Sequence, residues 1–168
     1  GSNTVRFKAD SGRDKVHRRT LYTFIKRTSP PPKMSTFDGP SREACTVRRE
    51  RTNTPLQSLL LFNDPQYVEA ARALAERTMR NAGPDDADRA AYMFRLCLSR
   101  HASQEEVDEL VRGYAEDLQA FREDEESARK LIGVGELAVP EDLDVSELAA
   151  WTMTANLMLN LDEVITKN

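Results

Sequence analysis

The chain has 168 residues, 39 % hydrophobic and 31 % charged, with a net charge of −4. That is long enough for one domain with a real core and ordinary for a soluble globular protein. No run approaches the ~18–20 apolar residues of a membrane span. The acidic balance and the lack of any recognition motif argue against nucleic acid as a partner. Two cysteines, Cys45 and Cys97, allow at most one intrachain disulfide.

The charge is unevenly spread. Residues 1–51 hold 13 Lys/Arg against 5 Asp/Glu, and residues 52–168 hold 11 against 23. A basic arm therefore either lies across an acidic helical body or faces an acidic partner. Gly1-Ser2 reads as a tag remnant, and residues 1–15 as a loose, polar lead-in. Residues 16–168 read as one helical domain, with a basic, irregular arm over 16–53 and a helical body over 54–168. Within the arm, the spacing of Leu21, Phe24 and Ile25 favours a short helix, with a strand as the alternative for residues 20–25. Pro30-Pro31-Pro32 is expected to end it as polyproline II and act as a rigid connector. Residues 34–45 then read as irregular, with a turn at Gly39-Pro40.

The body opens with the clearest signals in the chain. Thr54-Pro55-Leu56-Gln57 is a capping box with proline at the first helical position. Leu56, Leu59, Leu60, Leu61 and Phe62 make that helix apolar on most sides, which predicts a central, buried element. Asn63-Asp64-Pro65 then ends one helix and starts another, with Asp64 as the cap and Asn63 in a left-handed conformation. Residues 65–80 are amphipathic, with Val68, Ala71, Leu74 or Ala75, and Thr78 on one face. After Gly83-Pro84, a helix starting at Asp85 or Asp86 places Ala87, Ala91, Phe94 and Leu98 on one stripe, with Cys97 beside it. Ser103 with Glu106 forms a second capping box, and Val107, Leu110, Val111, Tyr114, Leu118 and Phe121 follow the helical period. A short helix through Ala128, Leu131 and Ile132 stops at Gly133 or Gly135. Asp144 with Glu147 opens a last helix, apolar nearly all round from Leu148 to Leu161, which predicts a core helix packed on several sides. The fold class is all-α, one domain of about five to seven helices.

Catalytic signatures are missing: the chain has no H-E-x-x-H, G-x-S-x-G, glycine-rich phosphate loop or C-x-x-C. His17, His101, Cys45 and Cys97 have no metal-ligand spacing, and without C-x-x-C-H no covalent haem is expected. No cofactor is therefore expected in this fragment. Cys45 lies in an arginine-rich segment and Cys97 beside an apolar stripe, so they are not expected to bond each other.

The candidate binding residues are Arg42, Arg48, Arg49 and Arg51, interleaved with Asp38, Glu43 and Glu50. Guanidinium forks suit carboxylate, sulfate or phosphate, which would make the cluster an anion site. The other reading is a salt-bridge network that pins an irregular segment onto the helices and costs roughly 3–5 kcal/mol to break if buried.

A resemblance accompanies these residues. His17-Arg-Arg-Thr-Leu-Tyr-Thr-Phe-Ile-Lys-Arg27, Pro30-Pro-Pro, Phe37-Asp38, the run from Arg42 to Gln57, Asn63-Asp64-Pro65 and Leu157-Met-Leu-Asn-Leu-Asp-Glu163 together resemble the C-terminal domain of unknown function of large planctomycete proteins, some of which also carry a cytochrome-c-like domain. The resemblance implies an exported or periplasmic setting, other domains of the same parent protein as partners, and redox chemistry confined to another domain. It also implies that this chain starts partway through the family domain. The reading is a non-catalytic helical module that serves domain assembly or partner interaction. One alternative is a site for an anionic ligand or acidic glycan at the arginine cluster. Another is part of an enzyme completed by an upstream portion.

Overall fold

The computed structural model describes residues 12–17, 20–26, 29–41, 44–48 and 50–166. Those residues are 66 % helical and contain no strand. The body holds α3 (Pro55–Asn63), α4 (Pro65–Asn81), α5 (Asp86–Leu98), α6 (Gln104–Glu123), α7 (Glu125–Ile132), α8 (Val145–Leu159) and α9 (Asp162–Ile165), preceded by the short α1 (Arg13–Val16), which spans the junction of lead-in and arm, and by α2 (Pro32–Thr36) in the arm. The described residues hold nine α-helices, seven of them in the body, against an expected five to seven for the domain; the all-α class stands.

The helix ends follow the local chemistry. Thr54 and Gln57 form both bonds of the capping box on α3. Ser103 and Glu106 do the same on α6. Asp64 accepts from the Gln66 amide at the start of α4, and Asp144 from the Glu147 amide at the start of α8. Each such cap satisfies a backbone donor that the first helical turn leaves open, worth about 1 kcal/mol. Asn63 is not left-handed, however. It stays in α3 and donates to Leu59 O, and Asp64 alone, extended at φ −73°, ψ 128°, makes the corner.

The core forms around α8. This helix touches α3, α4, α5, α6, α7 and α9. Ala149, Ala150 and Ala155 are fully buried on it, and their small side chains let neighbours close in from several directions. Thr152 and Thr154 return their hydroxyls to the helix's own carbonyls, Leu148 O and Ala150 O, so no polar atom of theirs is left dry. Trp151 stacks on Tyr114 of α6, centroids 4.2 Å apart and planes 20° apart. Burying a side chain of that size contributes on the order of 5 kcal/mol. Burial, with Asp86 and Glu147 nearby, pushes the Tyr114 phenol up to about 12. Val68, Ala71, Ala75 and Thr78 of α4 lie buried along the predicted face, as do Val107, Leu110 and Tyr114 of α6. On α5 the buried face is Ala90, Met93 and Phe94, rotated from the predicted stripe: Ala87 is exposed and Ala91 and Leu98 are half-buried.

Three expectations are corrected. Helix α3 is not central: only Gln57 and Leu61 are buried, while Leu56, Leu59 and Phe62 are 60 %, 59 % and 40 % exposed. A central position needs close neighbours on all sides, and α8 has them, burying Leu148, Trp151 and Met158 as well as its three alanines. Second, residues 20–25 form neither a full helix nor a strand but one 3-10 turn, Thr20–Tyr22, with Leu21, Tyr22 and Phe24 turned to solvent. Third, Pro31 keeps polyproline II geometry, at φ −56°, ψ 131°, but the proline run does not continue as a connector. Pro32 starts α2, because proline's fixed φ suits a first helical turn as well as an extended one. Helix α2 closes with Asp38 left-handed at φ 56° and the Gly39 amide bonded to Met34 O at 2.7 Å. A Cβ on Gly39 would lie 2.6 Å from that carbonyl oxygen, which is why glycine follows Asp38.

Candidate functional site

Two polar constellations stand out, and the sequence pointed to one of them. Arg48 and Arg51 line a cleft of about 550 Å³ between the end of the arm and α9, opposite Val164 and Ile165. Phe37 and Asp38 lie on the same wall. Asp38 shapes it, accepting from the Thr52 amide at 2.8 Å and from the Thr52 hydroxyl at 2.8 and 2.9 Å. Gln57, 1 % exposed, forms the floor and donates to Thr36 O and Thr52 Oγ1 while accepting from the Thr54 amide. The far wall is held by Asn53, which donates to Asp162 at 2.7 Å, and by Arg100, which bonds Glu163 and Glu106 together. That clamp draws the Glu106 carboxyl down to about 2, with the Ser103 amide as the second cause.

The structure brings Arg48 and Arg51 to one cleft; Arg42 and Arg49 lie outside the described residues. Arg48 and Arg51 are both exposed. A solvated ion pair there is worth at most about 1 kcal/mol. The expectation of a buried arginine clamp therefore does not hold for these two side chains.

The buried clamp exists elsewhere, on α4. Arg72 is 1 % exposed. It donates to Ile132 O and to Leu137 O, and its Nε lies 3.4 Å from Glu76. One turn earlier Glu69, 3 % exposed, accepts from the amides of Glu136 and Leu137. Gly135 is left-handed at φ +104°, and a Cβ there would fall 2.7 Å from Glu69 Cβ, so glycine is required for the loop to wrap the carboxylate. On its other side Glu69 receives His17 Nε2–H at 2.6 Å. Burial alone would push the Glu69 carboxyl up. The Leu137 and Glu136 amides and His17 outweigh it and hold the group below its ordinary value. Sequence reasoning missed this constellation, although a signal was present. Glu69, Arg72 and Glu76 recur at helical spacing directly beside the apolar stripe of α4, where a solvated face would not be expected to begin so abruptly.

Chemically the Glu69 site is a joint. Among the described residues its oxygens are occupied by two backbone donors and one imidazole. Among the described residues no group of three His, Cys, Asp or Glu side chains converges as a metal site, and no helix is long and apolar enough to cross a membrane. Cys45 is an exposed free thiol and Cys97 a half-buried one whose titration burial pushes up.

The described residues thus define an all-α domain with an open polar cleft beside α9 and a buried polar joint on α4. The chain belongs to the PSD1 family, proteins of unknown function (DUF1553), whose sequence profile matches residues 2–114. The matched stretch takes in the arm, α3, α4, α5 and the first half of α6. No curated protein and no solved structure matches the chain.

Proposed function

We propose that the chain is a non-catalytic helical module of a larger exported protein and that it docks onto other domains of that parent through α3. The observation that carries this is the outward apolar face of α3: Leu56, Leu59 and Phe62, with Leu157 of α8 a further 49 % exposed apolar side chain. The positions 56, 59 and 62 fall on one side of the helix. A helix that turns leucines to water while a capping box and a buried Gln57 fix its placement is held ready for a partner. Contiguous patches of this kind on a single chain, about 300–600 Å², are commonly interaction surfaces.

The planctomycete resemblance supports the rest of the reading. It favours a parent that works in the periplasm or outside the cell, with any cytochrome-like cofactor held in another domain and none here. An enzyme completed across α3 by an upstream portion is the alternative, in which the same face would carry the seam.

The test is Leu59→Glu. With Leu59 already largely in water, the variant should keep the parent's thermal stability within about 0.5 kcal/mol, as surface substitutions do. It should also lose most of the binding of the parent's remaining domains, added in trans and followed by calorimetry. A loss of stability comparable to a core substitution, or undiminished binding, would rule out α3 as the docking face.

A further inference from the structure

The cleft between the arm and α9 has features that the docking role of α3 does not use. Its volume, about 550 Å³, lies within the range of small-ligand sites, about 300–1,000 Å³. Arg48 stands at its wall and forms no ion pair among the described residues. A guanidinium in that position offers a planar pair of donors that matches a carboxylate. Glu50 lines the same wall. Its negative charge opposes a dense polyanion but can accept hydrogen bonds from hydroxyl groups. Phe37 on one side and Val164 and Ile165 on the other supply apolar surface, which suits the C–H face of a sugar ring better than it suits a compact inorganic anion.

The walls are also held in place before any ligand arrives. Asp38 and Thr52 lock the arm side through the Thr52 amide and a hydroxyl bond shared between both carboxylate oxygens, and Asn53 and Arg100 lock α9 through Asp162 and Glu163. A cleft whose sides are tied to separate anchors loses little order on binding, so even a solvent-open site retains part of its contact energy.

We infer that this cleft binds a uronic acid unit of an acidic oligosaccharide, with Arg48 pairing to the sugar carboxylate, Glu50 accepting from ring hydroxyls, and Phe37 and Ile165 lying against the ring. The ligand class is a sugar acid carrying one charge per ring. Sulfate-dense chains and free phosphate are disfavoured by Glu50.

The inference is tested by titrating the chain with tri-galacturonate, maltotriose and inorganic sulfate, using amide NMR shifts and calorimetry. Tri-galacturonate should bind and move the amides of Thr52 and Ile165. Maltotriose, of similar size without the carboxylates, should bind at least about tenfold more weakly, the loss expected when one charge-assisted pair is removed. Arg48→Gln, at an exposed position, should keep the circular dichroism and thermal midpoint of the parent and weaken tri-galacturonate by a similar factor. Glu50→Gln should raise the affinity for sulfate. Absence of binding by tri-galacturonate, equal binding of the acidic and neutral sugars, unchanged affinity in Arg48→Gln, or sulfate binding as tight as the sugar would each overturn it.

Discussion

The helical body and the arm that precedes it are held together by different forces. In the body, sixteen buried apolar side chains form one contiguous cluster around α8. In the arm, α2 buries none of its residues, and Leu21, Tyr22 and Phe24 are 81 %, 64 % and 70 % exposed. Among the described residues the arm is attached to the body by discrete polar contacts that include His17 to Glu69, Lys33 to Asp64 and Gln66, Gln57 to the Thr36 carbonyl, and Asn53 to Asp162. Phe37, edge-on to Tyr67 at 6.1 Å, adds an aromatic contact to them. Among the described residues the basic arm clasps acidic side chains of the body at His17–Glu69 and Lys33–Asp64. Packing is non-directional and scales with area, whereas a clasp works only while both partners keep their positions and charge states. The body should therefore fail as a unit, and the arm should be separable from it by changing single groups.

The comparison breaks most visibly at α8. Trp151→Ala should cost roughly 3–5 kcal/mol, since it removes a fully buried aromatic and its stack on Tyr114. Urea unfolding followed by circular dichroism would measure it. A cost below about 1 kcal/mol would mean that α8 is not the organising helix.

Next in size is Glu69, where arm, α4 and the loop after α7 meet. Its carboxyl is held below its ordinary value of 4.5. A group with a depressed folded pKa stabilises the fold fully above its unfolded value. That contribution is lost as the pH falls through the lower, folded value. The chain should accordingly lose stability on acidification below about pH 4.5, and Glu69→Gln should flatten that part of the profile. At pH 7 the same substitution should lower stability by about 1–3 kcal/mol, because the Glu136 and Leu137 amides lose a charged acceptor. Melting temperatures of both proteins between pH 7 and pH 3 are the measurement. Parallel acid profiles would show that Glu69 does not carry the dependence.

The smallest expected effect is at the corner between α3 and α4. Asp64→Ala removes the cap on Gln66 and the clasp to Lys33, and should cost about 1–2 kcal/mol. Proteolysis of residues 20–41 should accelerate by more than global stability falls, since an arm contact is lost along with the cap. Equal changes in both would make the arm part of the body's cooperative unit.

Much of the body was legible in the sequence for reasons internal to each helix. Capping boxes at Thr54 and Ser103, the caps at Asp64 and Asp144, and the stop at Gly133 depend on neighbours within a few residues, so local spacing reveals them. The buried faces of α4 and α6 were legible too, because their apolar residues recur on one side only. Where apolar residues surround a helix, periodicity gives no direction. Both α3 and α8 met that description, and nothing in either segment alone said which would take the middle. Of the arginine cluster, the sequence identified Arg48 and Arg51 as neighbours but not the partner wall from α9, more than a hundred residues away.

By itself, then, the amino-acid sequence determined the all-α class, the helix starts and stops, and the contrast between a basic arm and an acidic body, since these rest on short-range hydrogen bonding and charge. Tertiary structure alone decided that α8 is the centre and α3 the surface. It also decided that Arg72 forms a buried clamp while Arg48 and Arg51 stay exposed, and that the left-handed Gly135 closes over Glu69. Each of these depends on which long-range surfaces compete for the same space, and a buried charge persists only where distant backbone donors or acceptors come to meet it.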